Sequence, residues 1–106
     1  MKNDKAVAAL SALANEHRLA AYRLLVQAGP QGMAAGGIAE KLDLAASSLS
    51  FHLAHLTRAG LIEQRRESRS LIYSADFDAM NGLVGFLTDN CCGGASCAPT
   101  AKRKAS

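Results

Sequence analysis

Three groups of residues in this chain have types and spacings that can do chemistry. The first lies near the C-terminus, where Cys91, Cys92 and Cys97 stand in the segment CCGGASC. Gly93 and Gly94 between the thiols let the backbone fold back, so that all three sulfurs can converge on one ion. Thiolates select soft ions. Three sulfurs without a fourth ligand nearby disfavour a closed tetrahedral zinc site. They suit a trigonal-pyramidal ion whose lone pair fills the fourth direction, as in trivalent arsenic or antimony. Cadmium, lead and a water-completed zinc remain open on spacing alone. So do reversible oxidation to a disulfide and plain burial as small hydrophobes. His17, His52 and His55 are distant in sequence and are not evident co-ligands.

The second group is Ser47, Ser48, Ser50, His52, His55 and Arg58, within SSLSFHLAHLTRAGLI. Leu49, Leu53 and Leu56, spaced 4 and 3 apart, give this stretch one apolar helical face. The serines and His55 fall mostly off it, with Phe51 or His52 near the boundary. Short hydroxyl side chains let a helix sit deep in a DNA groove and bond to base edges or phosphates. The amides of its first turn can meet a phosphate. Arg58, at the far end, suits a phosphate better than a base. The third group, Arg65, Arg66 and Arg69, clusters against Glu63 and Glu67 in EQRRESRSLIYSA. Arginines in such a hairpin can lie along the phosphate backbone or enter the minor groove.

At 106 residues, 49% hydrophobic and 20% charged, the chain reads as one folded domain with a modest core, of a size that a second subunit often completes. Net charge is +3, and Lys102, Arg103 and Lys104 supply all of the surplus. Basicity overall is therefore weak support for nucleic-acid binding, and the internal grouping of arginines carries that inference. No window approaches the roughly 18 apolar residues of a spanning helix. The start MKNDKAV lacks a signal-peptide pattern, which predicts a cytoplasmic protein with no membrane partner. In that reducing setting three cysteines do not read as a structural disulfide framework.

The elements that must position these groups can be read in order. Val7, Leu10 and Leu13 or Ala14 recur at helical spacing and predict a first helix over Asp4 to Asn15, a candidate dimer seam or a plain core helix. Asn15 can cap a second helix, Glu16 to Ala28, which stops at Gly29-Pro30. Ile38 and Leu42 point to a short third helix beginning at Ala34 or Gly37. A tight link through Asp43 and Leu44 leads to the fourth, starting near Ala46. Gly60 ends that helix, and Leu61-Ile62 with Leu71 to Tyr73 bracket a turn near Glu67 and Ser68. Asp76 to Asn90 is the last helix, with Phe77, Met80, Leu83 or Val84, and Leu87 as a wide apolar stripe to be buried on the domain or across a dimer axis. The expected architecture is mainly α with a small β-hairpin, about five helices and two strands ordered α-α-α-α-β-β-α: a winged helix-turn-helix. Residues 4–90 form the DNA-binding and dimerisation domain, and 91–106 a cysteine-containing ligand segment with a basic tail.

The segment IAEKLDLAASSLSFHLAHLTRAGLIEQRRESRSLIY, Ile38 to Tyr73, resembles the ArsR/SmtB family of small winged-helix metalloregulatory repressors. Its core SxHLxxLxxAGL is present as Ser50, His52, Leu53, Leu56, Ala59, Gly60 and Leu61. The resemblance implies a homodimer, built through the first and last helices, that binds double-stranded operator DNA and lets go when a ligand binds. Two family sites do not carry over. Where familiar arsenic sensors have Cys-Val-Cys, this chain has Ala34 to Gly37; where zinc sensors have an aspartate and histidine set, Asp76 and Asp78 have no histidine nearby. The family's frequent serine cap is replaced by Ala45. The pattern is similar to atypical arsenic-responsive members whose thiols end the last helix. The resulting expectation is a repressor released by As(III) or Sb(III) on Cys91, Cys92 and Cys97, with no organic cofactor. A redox-sensing repressor, a sensor of another soft metal such as Cd(II), and a winged-helix module that binds protein rather than DNA are the rivals. No acid–base or nucleophile pair points to an enzyme.

Overall fold

The computed structural model describes residues 1–94. Its order is α1 (Asn3–Leu13), α2 (Glu16–Ala28), β1 (Met33–Ala34), α3 (Ala35–Leu42), α4 (Ala46–Arg58), β2 (Ile62–Glu67), β3 (Ser70–Ala75) and α5 (Phe77–Thr88), followed by a 3₁₀ turn at Cys91–Gly94. The expected five helices and hairpin are present, and one strand is added. β1 pairs antiparallel with β3, Met33 opposite Tyr73 and Ala34 opposite Ile72, so the sheet runs β1-β3-β2. Two residues in a Gly/Ala-rich loop are too few to show a strand period. Gly32 makes the pairing possible. Its φ is +70°, and a Cβ there would run into the Tyr73 carbonyl oxygen.

Local chemistry sets the boundaries. The Asn15 side chain accepts from the amides of His17 and Arg18, both at 3.0 Å, and so caps α2 as its sequence predicts. Gly29, at φ 83°, ends that helix. Asp43 closes α3 in the left-handed conformation (φ 54°, ψ 50°), with Leu44 N–H donating to the Ala39 carbonyl at 3.0 Å. That tight reversal sets α4 against α3. Gly60, at φ 79°, ends α4, and Leu61 N–H returns to the Leu56 carbonyl at 3.1 Å. Asp76 caps α5 through Ala79 N–H at 3.0 Å.

The core is built on Leu25, Ile38, Leu49, Leu53, Leu56 and Leu61, all almost fully buried. α1 packs on α2, α4 and α5, but not with the stripe its larger residues suggest. Ala6, Ala9 and Ala12 are buried, whereas Val7 and Leu10 stay 57% and 43% exposed. Alanine lets helix backbones approach closely, so the smooth face goes in and the bulky one remains outside. α5 divides similarly: Leu83 is buried, while Val84 and Leu87 are 56% and 58% exposed. α5 also stops earlier than its apolar pattern predicts, at Thr88 rather than Asn90. Among the described residues, no helix is long and apolar enough to cross a membrane.

Candidate nucleic-acid interface

α4 buries Leu49, Leu53 and Leu56, and the opposite face carries Ser47, Phe51, Ala54 and Arg58, spaced 4, 3 and 4 apart and all exposed. Ser48 and the half-buried His55 flank this stripe on one side, and Ser50 on the other. No side chain caps α4 at Ala45, so the first-turn amides retain donor capacity towards a phosphate. Ser47, Ser48 and Ser50 are all exposed.

His52 does not share the outward stripe. It is half-buried and turned to α2, where its ring lies 5.5 Å from that of His17. Arg18 Nη1 is 3.4 Å from His52 Nδ1. A guanidinium can only donate, so Nδ1 is the acceptor and the ring proton sits on Nε2. Partial burial, then the nearby charge of Arg18, then His17 and His55 hold the His52 pKa below its ordinary 6.5. Partial burial, Arg18 and Arg58 lower that of His55. Arg18 also donates through Nε to the Ala12 carbonyl at 2.7 Å, so one guanidinium ties the end of α1 to α4.

The hairpin of β2 and β3 runs from the Ile62–Ala75 pair to Glu67–Ser70, with Ser68 at φ 59° in a two-residue loop. Its three arginines are not equivalent. Arg65 forms the only ion pair among the described residues, Nε to Glu67 Oε2 at 2.7 Å, and donates from Nη2 to the Gln31 carbonyl at 2.7 Å. It thereby fastens the wing to the loop after α2. Arg66 lies on the other strand face and Arg69 at the tip, both exposed. Arg58 lines a cleft of about 680 Å³ with Asp4, Asp76 and Asp78, between α1, α4 and α5.

Cys91 and Cys92 stand past α5 rather than on its last turn. Asn90, Cys92 and Gly93 all take positive φ (59°, 58° and 67°), which turns the chain sharply away from the helix axis. The Cys91 and Cys92 sulfurs are 3.6 Å apart. Cys97 and Lys102 to Lys104 lie outside the described residues. Among the described residues, no three of His, Cys, Asp and Glu are gathered as a metal site.

Phe51 and Arg18 also belong to this surface. Phe51 shares the outward helical spacing with Ser47, a signal present in the sequence. The Arg18 bridge depends on how α1 and α4 meet, and no local pattern encodes it.

A helix-turn-helix domain model matches residues 13–65. The nodulation protein NolR of Rhizobium meliloti is 39% identical over 80 residues, which is 76% of this chain but 63% of NolR, so the chain spans under two thirds of that relative. The transcriptional activator HlyU of Vibrio cholerae is 34% identical, over 78% of this chain and 74% of HlyU. The structure of reduced HlyU superposes with a TM-score of 0.65 at 32% identity, covering 84% of this chain and 90% of HlyU. The homodimeric winged helix-turn-helix DNA-binding domain of a possible ArsR-family regulator from Mycobacterium bovis gives a TM-score of 0.66 at 28% identity, over 87% of this chain and 85% of that one.

Proposed function

Since the chain belongs to the helix-turn-helix family of DNA-binding transcriptional regulators, we propose that it is an ArsR-type repressor, not an enzyme. Two copies would join through α1 and α5 and present α4 to successive major grooves, with the wings outside. The observation that carries this reading is the exposed stripe of α4 beside a wing bearing Arg66 and Arg69. Ser47, Ser48 and Ser50 meet base edges or phosphates. Arg58, Arg66 and Arg69 neutralise phosphates, and His55 lies at the groove margin. Arg65 and His52 hold the wing and the reading helix in place. The homodimeric relative supports the twofold arrangement.

The inducer is As(III) or Sb(III), held by the thiolates of Cys91, Cys92 and Cys97. The reading is supported by three cysteines within seven residues, with the Cys91 and Cys92 sulfurs 3.6 Å apart. Because their turn follows α5 directly, closing the third thiol onto it would move the end of a seam helix. A coupling of about 3 kcal/mol changes operator occupancy by about two decades. The same sulfur proximity favours a second reading, a thiol-based redox sensor; HlyU, a relative, has been solved in a reduced form.

Fluorescence anisotropy on the DNA upstream of the gene, titrated with As(III), Sb(III), Cd(II), Zn(II) and peroxide, tests both. Release by As(III), abolished by Cys97→Ser, is the expected result. Release by peroxide alone would replace the arsenic reading with the redox one. Undiminished DNA affinity of the reduced protein in saturating As(III) ends the arsenic proposal.

A further inference from the structure

We propose that Phe51 is a specificity-determining residue that reads the C5 methyl group of one thymine in each half-site. The inference rests on the DNA-binding reading and adds to it a base and an atom.

Phe51 is the bulkiest apolar residue on the outward face of α4 and is 64% exposed, more than any other large hydrophobic among the described residues. Its neighbours on that face, Ser47, Ser50 and Ala54, are small, so its ring stands out from the helix surface. The ring is also held. It meets His52 edge-on at 5.7 Å with planes at 69°, and His52 is itself fixed by Arg18 and by the ring of His17. A propped ring loses little freedom on binding, which distinguishes it from a casually exposed apolar residue.

A phenyl ring can neither donate nor accept a conventional hydrogen bond. In the major groove the one apolar group on any base edge is the thymine methyl, so a ring carried there by α4 discriminates by meeting it. Removing a buried methyl costs about fourfold in affinity, and about fifteenfold across two half-sites.

The test uses the full chain. Duplexes are selected by the wild-type protein from a random pool, and each thymine of the selected site is then replaced by deoxyuridine, which deletes only the methyl. The wild type should show one position per half-site where uracil weakens binding about fourfold. Phe51→Ala, at an exposed position that leaves the core intact, should bind more weakly and be indifferent to uracil at that position. If wild type and Phe51→Ala respond alike to every uracil substitution, the assignment is overturned while DNA binding stands. If no duplex is selected, the DNA-binding reading and the inference fail together. Phe51→Ala retaining full affinity and the same preferred site would also overturn it, leaving the ring to a protein partner.

Discussion

Leu87→Asp should break the dimer without unfolding the protomer. Val7, Leu10, Val84 and Leu87 are each about half exposed on α1 and α5, while the alanines and Leu83 beneath them are already buried. Leu87 still has 58% of its surface to bury. Full burial of a leucine stabilises by about 1.5–3 kcal/mol, so this residue has roughly 1 kcal/mol left to contribute at an interface. Twofold symmetry counts every substitution twice, giving roughly 2 kcal/mol, or about 30-fold in the dissociation constant. Aspartate adds the cost of desolvating a charge at the seam, so 30-fold is a lower bound. Sedimentation velocity over a dilution series reads the change, and thermal melting confirms that the protomer still folds. Leu19→Asp is the matched control: Leu19 is 43% exposed, but on α2. A wild-type monomer at tens of micromolar, or equal dissociation constants for Leu87→Asp and Leu19→Asp, would refute the assignment of the seam.

The wing arginines should separate by salt dependence: Arg66→Ala and Arg69→Ala each lower the slope of log affinity against log salt by about 1. Arg65→Ala, which frees the wing from Gln31, should chiefly loosen the hairpin in hydrogen exchange. Acidification should weaken the fold through His52. Its pKa is lowered in the native state, so its contribution is complete above the ordinary value of 6.5 and is lost as pH falls from there through the native pKa. His52→Gln keeps an acceptor for Arg18, and its urea midpoint should drop less than that of wild type between pH 7.5 and 5; equal drops would contradict the assignment. Gly32→Ala should cost roughly 2–4 kcal/mol from a left-handed alanine pressed on Tyr73, measured by chemical denaturation. Tyr22→Phe should be neutral or stabilise by up to about 1 kcal/mol. The buried Tyr22 hydroxyl finds no hydrogen-bond partner among the described residues, and burial, aided by Asp76, already raises its pKa.

Much of the fold was legible because each boundary is marked by a residue acting locally. Asn15 caps α2, Gly29 and Gly60 end helices, and Leu49, Leu53 and Leu56 face the core as their spacing requires. What escaped depends on contacts between elements. Hydrophobicity points to Val7 and Leu10 as the inner face of α1, but inter-helix distance favours the alanines. The two residues of β1 acquire a partner only because Gly32 lets the chain approach Tyr73. His52 and Phe51 are adjacent and looked alike at the edge of a stripe. The structure separates them, placing one against Arg18 and the other outward. The three wing arginines form one cluster in sequence, yet strand alternation and the carbonyl of Gln31 divide them.

On the proposed repressor reading, the Arg18 bridge would be a route from the seam helix to the reading helix. The guanidinium holds the last turn of α1 by the Ala12 carbonyl and the middle of α4 by His52 Nδ1. A shift of α1 against α2 and α4 strains these contacts, and a charge-assisted hydrogen bond such as the one to the Ala12 carbonyl contributes about 1.5–3 kcal/mol. That is the size of coupling a repressor needs to change occupancy by one to two decades. Arg18→Lys retains the charge but has no fork to span both acceptors. It should bind operator near wild-type affinity at low salt and lose most of its response to inducer. Full inducer response in Arg18→Lys would show that the signal reaches α4 by another route.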